Sequence, residues 1–517
     1  MLIPTGQPRR LASSGTPARR RALAAGLALA TAALTLGTAT GARAETDATP
    51  LPKLVTVDNV RAHMENLQII ADFNEGNRAH GTSGYDISAA YVMDQLERAG
   101  YQPTKHTYIY EYWTQLAAPF LTMRAPKEHG FIRDEDFLPL EYAASGDVTA
   151  RGVLVAAGSD TSGCAAEDFT GFPKGAIAIM KRGTCTFEAK TANAAEAGAA
   201  AAVIINHGAT DEPADVGPIR GTVSNLSRIP VVGVSVAAGE RLRQAGEQLR
   251  LRVRIKSEIR EESSYNVLAE TPQGRADNVV LVGGHLDSAP ASPGINDNAS
   301  GSAAILEVAK QFAEVEQPVN KVRFAFWGTE EQGLVGSTKY VESRSEQERA
   351  NIALYLNFDM LGSPNYGRFV YDGRGELAQS TTPPAGSAAI QKMFEDYFAN
   401  RSLATEATPF SGRSDYSAFM AAGIPAGGLF SGGGSVKTER QVKDYGGVAG
   451  EEFDPNYHTP NDDITNINWE SVDQMSDGVA HAVAKYSQST LPVNGVLREQ
   501  RAPGEVAFAR QGDVWLR

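Results

Sequence analysis

A histidine and two carboxylates stand close together in Gly283-Gly284-His285-Leu286-Asp287 and, twelve residues after His285, in Asn296-Asp297-Asn298. Adjacent glutamates, Glu330 and Glu331, follow Phe324-Ala325-Phe326-Trp327-Gly328-Thr329. Asp359 follows Leu356-Asn357-Phe358, and His458 stands in Asp454-Pro455-Asn456-Tyr457-His458-Thr459-Pro460. The set holds two histidines, five carboxylates and no thiol. Imidazole with carboxylate suits zinc, with manganese or cobalt as alternatives. Two divalent ions need several anionic ligands and one bridging carboxylate, which these residues can supply. Such a pair polarises a carbonyl and generates hydroxide at neutral pH. A carboxylate beside them is then needed to move protons. Glu330 and Glu331 fit that division, one binding metal while its neighbour handles the proton. Taken singly each motif is ordinary: His-x-Asp is common on surfaces, and Asp359 could cap a turn. The metal reading rests on their co-occurrence after apolar runs in one domain.

Those runs read as strands, at 278–282, 322–327, 352–358 and 424–430. Helical periodicity fills the intervals, at 299–312, 334–342, 387–399, 415–422 and 469–487. The alternation predicts an α/β fold with a mixed, mostly parallel sheet flanked by helices. Ligands in such sheets collect beyond the carboxyl ends of the strands, where these residues stand. Two helices at 57–73 and 84–99 and an aromatic strand at 107–114 precede them. His80, between the helices, has no carboxylate at metal spacing, and a structural role is expected. From 141 to 256 the texture changes to short β-rich runs (152–157, 176–180, 202–205, 230–236) around one helix at 187–197. This predicts a module inserted at 141–256 into a discontinuous domain of 45–140 and 257–487. After 487 the pattern fades, and 488–517 is expected to be a weakly ordered tail.

The formal net charge is −13. Residues 1–44 carry six arginines and no acid, leaving the remainder at −19. So acidic a body disfavours nucleic acid as a partner. Arg9, Arg10 and Arg19-Arg20-Arg21, the Ala- and Leu-rich run at 22–40, and Ala42-Arg43-Ala44 read as an export signal at 1–44. A twin-arginine route is a minor option. No later stretch is long and apolar enough to span a bilayer. A secreted protein without stable membrane association after signal cleavage is expected. In that setting the two cysteines, Cys164 and Cys185, should form a disulfide, worth roughly 3 kcal/mol.

The motifs as a set resemble those of a known family. His285-x-Asp287, Asn296-Asp297-Asn298-Ala299-Ser300-Gly301, Glu330-Glu331-x-Gly333-Leu334-x-Gly336-Ser337, Asn357-x-Asp359-Met360 and Tyr457-His458 are similar to the di-zinc exopeptidases of the bacterial aminopeptidase type. The nearest likeness is to secreted Streptomyces-type leucine aminopeptidases. Asn77-Arg78-Ala79-His80-Gly81-Thr82-Ser83-Gly84-Tyr85 resembles their N-terminal signature. Within the insert, residues 174–187, with Arg182-Gly183-Thr184-Cys185-Thr186-Phe187, resemble the protease-associated (PA) domain, which implies a lid or substrate-access module.

The resemblance implies a zinc exopeptidase fold and two zinc ions bridged by Asp297. His285 and Asp359 would complete one site, and Glu331 and His458 the other. Glu330 would be the general base, Tyr457 the oxyanion donor, and Asp287 the carboxylate orienting His285. It also implies a cis Asp297–Asn298 peptide. Streptomyces-type relatives flank the Tyr-His pair with cysteines; Asn456 and Asn461 stand there instead, so that loop is not stapled covalently. Arg413 and Asp415 resemble a stretch near the family's pocket. The implied activity is a secreted metallo-aminopeptidase acting on peptides, with large apolar N-terminal residues preferred. The alternatives are a carboxypeptidase or dipeptidase of the same architecture, for which Arg413 and Lys437 are the candidate carboxylate binders, and a non-catalytic receptor-like protein. Oligomeric state is not legible.

Overall fold

Thr56 and Thr82 start the first two long helices. Each side chain accepts a backbone amide three residues on, from Asn59 at 3.3 Å and from Tyr85 at 3.4 Å. The helices, Val57–Asp72 and Ser83–Arg98, present Val60, Met64 and Leu67, and Ala89, Val92 and Leu96, to one core shared with Gly301–Val315 and Trp469–Gln488. The computed structural model describes residues 50–495, apart from 157–158, 160, 210–212, 224–226 and 378. The expected export signal at 1–44 and most of the expected tail lie outside the described residues.

Beneath these helices four strands run parallel in the order Ala426–Phe430, Ile352–Phe358, Arg275–His285, Asn320–Trp327. They are buried on both faces, which is why their sequences read as continuous apolar runs. The opposite face is covered by Val335–Glu342 and Tyr416–Ala421, with Tyr355 stacked on Phe419 at 3.9 Å and Trp327 beside them. Antiparallel strands flank this centre, Phe369–Tyr371 on one side and Arg250–Glu270 on the other. The sheet is mixed and mostly parallel at its centre.

The strand at 107–114 is far longer than its aromatic run. It spans Thr104–Ala125 and pairs with Arg250–Glu270 over almost its whole length, from Thr104↔Leu268 to Ala125↔Arg250. One end of Arg250–Glu270 pairs with Asn320–Trp327. Its other end pairs with Gly146–Leu154, the first strand of the second sheet. Positions 256 and 257 thus lie inside a continuous strand rather than in a linker. The charged middle of that strand hid it from a reading based on apolar runs. Beyond it, Ile177–Lys181, Ala201–Ile205 and Val231–Val234 continue in parallel, closed by antiparallel Phe137–Pro139. Their core is separate, and includes Ile179, Val203, Val232 and Val253. Cys164 and Cys185 are joined, with Cα atoms 5.7 Å apart.

The first residues of the expected weakly ordered tail are held in place. Leu491–Asn494 is a short helix, Val493 is buried, and the Asn494 side chain donates to Asn278 at 2.7 Å. Thr490 accepts from the same Asn278 at 2.9 Å. The polar start of a buried strand needs these partners, and pattern counting did not reveal them. Among the described residues no helix is long and apolar enough to cross a membrane.

Candidate metal centre

His285 is the last residue of the strand Arg275–His285. Its Nδ1 stands 3.0 Å from the Asp287 carbonyl oxygen, which fixes the ring and turns Nε2 toward Asp297 Oδ1 at 3.0 Å and Asp359 Oδ1 at 3.3 Å. The other oxygen of Asp297 lies 3.1 Å from His458 Nε2, and that nitrogen is 3.0 Å from Glu331 Oε2. The two oxygens of Asp297 therefore face one histidine each. The potential ligand atoms fall into the groups His285, Asp297 and Asp359; Asp297, Glu331 and His458; and His285, Glu330 and Glu331, each within 4.8 Å.

Two features show that this donor set fits metal. His458 Nε2 makes no hydrogen bond of acceptable geometry with the oxygens beside it, and Glu331 Oε1 is buried with no partner among the described residues. In addition, tetrahedral zinc bound at about 2.0–2.2 Å holds neighbouring ligand atoms roughly 3.3–3.6 Å apart, and the donor atoms here lie slightly closer, at 3.0 to 3.3 Å.

The surrounding structure holds each candidate ligand in place. The backbone amides of Asn296 and Asp297 donate to the buried Asp462 carboxylate at 2.7 and 3.1 Å. The Asp297–Asn298 peptide is cis. The Asn298 side chain donates to the Phe358 carbonyl at 3.0 Å and accepts the Met360 amide at 3.0 Å, bracketing Asp359. Ser414 Oγ donates to Asp359 Oδ2 at 2.6 Å, leaving Oδ1 for the centre. Arg78, fully buried, donates to the carbonyls of Leu286, Pro293 and Gly294 and so clasps the loop between His285 and Asp297. Thr329, Met360 and His458 all have left-handed backbone, with φ of 60°, 59° and 57°. Such conformations store strain and cluster where a side chain must be aimed.

The Asp287 carboxylate does not orient His285. It stands 4.0 Å from Nδ1, beyond hydrogen-bond reach, and instead accepts the backbone amides of Glu330 and Glu331 at 3.1 and 3.3 Å. Its fixed, fully buried oxygens are used by the glutamate turn, and its main chain serves the histidine.

The electrostatics follow from this crowding. Burial alone would lower the His285 and His458 imidazoles, but the carboxylates around them outweigh it and raise both well above the usual value. Burial would raise Asp297, yet its two histidine partners hold it below the ordinary carboxylate range. Glu330 is pushed well above that range by burial, with Glu331, Asp415 and Asp359 adding to it.

Tyr457 stacks on His458 with centroids 4.1 Å apart. His80 is not among the ligands: its Nδ1 meets Tyr110 Oη at 2.8 Å, and burial pushes the ring down to about 4. Asp415 is fully buried beside the centre, and burial raises it to about 7. Lys437 donates to the carbonyls of Tyr366 and Gly446 at 2.8 and 2.7 Å, which removes it as a carboxylate binder. The loop without cysteines is tied by side chains instead. Asp454 accepts from Asn296 and from the Asn456 amide, at 2.5 and 2.9 Å. Sequence reading passed over Asp462, which sits in a polar loop with no spacing signal. Arg78 stands inside the motif Asn77–Tyr85, and nothing in its spacing signals the clasp.

Residues 266–483 match peptidase family M28, and residues 148–242 match the PA domain. The aminopeptidase of Pseudomonas aeruginosa is 43% identical over 465 residues, covering 89% of this chain and 86% of its own length. The probable leucine aminopeptidase 2 of Aspergillus fumigatus is 39% identical, covering 85% of each. Among solved structures, the aminopeptidase from Aneurinibacillus sp. strain AM-1 superposes with a TM-score of 0.68 at 26% identity, covering 89% of this chain and 98% of its own. The zinc aminopeptidase BSAP from Bacillus subtilis gives 0.57 at 25%, covering 84% and 96%.

Proposed function

The chain belongs to peptidase family M28 as a zinc aminopeptidase carrying a PA domain, and from that premise we propose that it holds two zinc ions, with Glu330 as the general base. The observation that carries the two-ion reading is the division of Asp297, whose oxygens face His285 and His458 separately. His285 and Asp359 would complete one site, and Glu331 and His458 the other. When bound, the ions would polarise the scissile carbonyl and make a water nucleophilic at neutral pH.

The chain's own residues do the rest. Glu330, beside the candidate ligands His285 and Glu331, takes a proton from the attacking water and passes it to the leaving amine. Tyr457, held against His458, donates to the oxyanion that develops. Asp287 fixes the backbone of Glu330 and so the aim of its carboxylate. The domain unit proposed for this chemistry is the discontinuous one on either side of the β-rich insert, whose sheet takes in Phe137–Pro139 and whose return to the main sheet runs within the strand Arg250–Glu270.

The substrate proposed is the free N-terminus of a peptide, with large apolar residues preferred. Trp113, Leu138, Pro139, Ala289 and Pro290 line the cavity beside Glu331 and His458, and relatives carry the name leucine aminopeptidase. Secretion is proposed from the export signal together with the disulfide. The test is a comparison of leucine p-nitroanilide with its N-acetylated form, in zinc. Turnover of the free amine alone supports the reading; turnover of the blocked form overturns it.

A further inference from the structure

The cavity above the metal ligands measures about 340 Å³. That is a volume typical of small-ligand sites. Its lining includes Glu331 and His458 together with Tyr112, Trp113 and Glu141. Glu141 belongs to the β-rich side of the molecule. Its backbone is fixed in a bridge to the segment at 221–223, donating to the Gly221 carbonyl at 3.0 Å and accepting from Val223 at 2.9 Å. Among the described residues its carboxylate has no hydrogen bond or ion pair. Two arginines share the cavity, but Arg133 turns to Asp134 at 3.4 Å, and Arg220 is exposed. Burial alone raises the Glu141 carboxyl to about 7, with no cation opposing it. A half-buried carboxylate that lines a cleft without a counterion is placed to meet a cationic group of a ligand.

We propose that Glu141 is a specificity residue that binds the cationic side chain of a lysine or arginine at the substrate's N-terminus, so that the cavity takes basic as well as apolar residues. This rests on the aminopeptidase reading. The α-ammonium is not the cation in question. Covalent geometry keeps it about 2.5 Å from the scissile carbonyl carbon. It must therefore stay beside the metal ligands, and Glu141 is in none of their groups. A long side chain reaches further. Its methylene stem packs on Trp113 and Leu138, as an apolar side chain would, and its charged end meets Glu141. Acidic N-terminal residues gain nothing there.

The test is kcat/KM of the full chain, in zinc, on the p-nitroanilides of lysine, arginine and leucine, for wild type, Glu141→Gln and Glu141→Asp. The expected result is a lysine-to-leucine ratio of kcat/KM that falls tenfold or more in Glu141→Gln, chiefly through KM, and recovers in part in Glu141→Asp. A ratio that stays within twofold of wild type in both variants overturns the proposal, as does an equal loss on all substrates. Absence of wild-type turnover on every free-amine substrate overturns the aminopeptidase reading and this proposal with it; an unchanged ratio overturns this proposal alone.

Discussion

The Asp287 carboxylate accepts the backbone amide of Glu330 at 3.1 Å, and thereby ties the end of one strand to the turn after its neighbour. The bond runs through main chain, so it sets where the Glu330 side chain begins. Asp287→Asn weakens an acceptor while keeping the volume. A kcat lower by about 10–100-fold is expected, with KM and zinc content little changed. Steady-state kinetics with metal analysis on the same sample check this; zinc loss at unchanged kcat would show that Asp287 serves the ligands instead.

The two adjacent glutamates separate by readout. Glu330→Gln should keep its zinc and lose about 10²–10⁴-fold in kcat. Glu331→Ala, which removes a partner of His458, should lose zinc first and activity as a consequence. Equilibrium dialysis followed by turnover distinguishes them, and reversed outcomes would mean that the two roles are exchanged.

The Cys164–Cys185 bridge closes a loop with a sequence separation of 21, so Cys185→Ser should cost about 3 kcal/mol in the stability of the β-rich module. Denaturant unfolding followed by intrinsic fluorescence measures it. Two thiols alkylated in the unfolded, unreduced protein would contradict the bridge.

Far from the centre, Glu307 is fully buried and accepts from Asn59 and Gln311 at 2.8 Å, with His63 at 3.1 Å. Burial would raise its carboxyl, but His63, Gln311 and Lys310 hold it at about 2. A depressed carboxylate contributes stability that is complete above the unfolded value, near 4.5, and is lost as pH falls through about 2. Glu307→Gln should therefore unfold at lower urea than wild type at pH 7, and the gap should shrink between pH 4.5 and pH 2. A gap independent of pH would assign the difference to packing.

The sequence made the centre legible because its ligands follow buried strands, and buried parallel strands announce themselves as apolar runs. His285, Glu331 and Asp359, candidate ligands at or just past strand ends, could be picked out for that reason, whereas Asp297 and His458 stand in loops and were legible from their motifs. What stayed hidden was held by main chain. Asp462 grips two amides, Arg78 grips three carbonyls, and Asp287 serves amides rather than a ring, and none of these leaves a side-chain pattern. The long strand Arg250–Glu270 was missed for a related reason. Its alternation is interrupted by charged residues that face solvent between two sheets.

The central claim, two zinc ions bridged by Asp297, is tested most directly by metal stoichiometry. Protein stripped with a chelator is titrated with zinc while bound metal and leucine p-nitroanilide turnover are followed together, for wild type and Asp297→Ala. Two ions per chain at full activity are predicted for wild type, with both sites weakened at once in the variant. One ion per chain at full activity, or two retained by Asp297→Ala, would contradict the bridged centre.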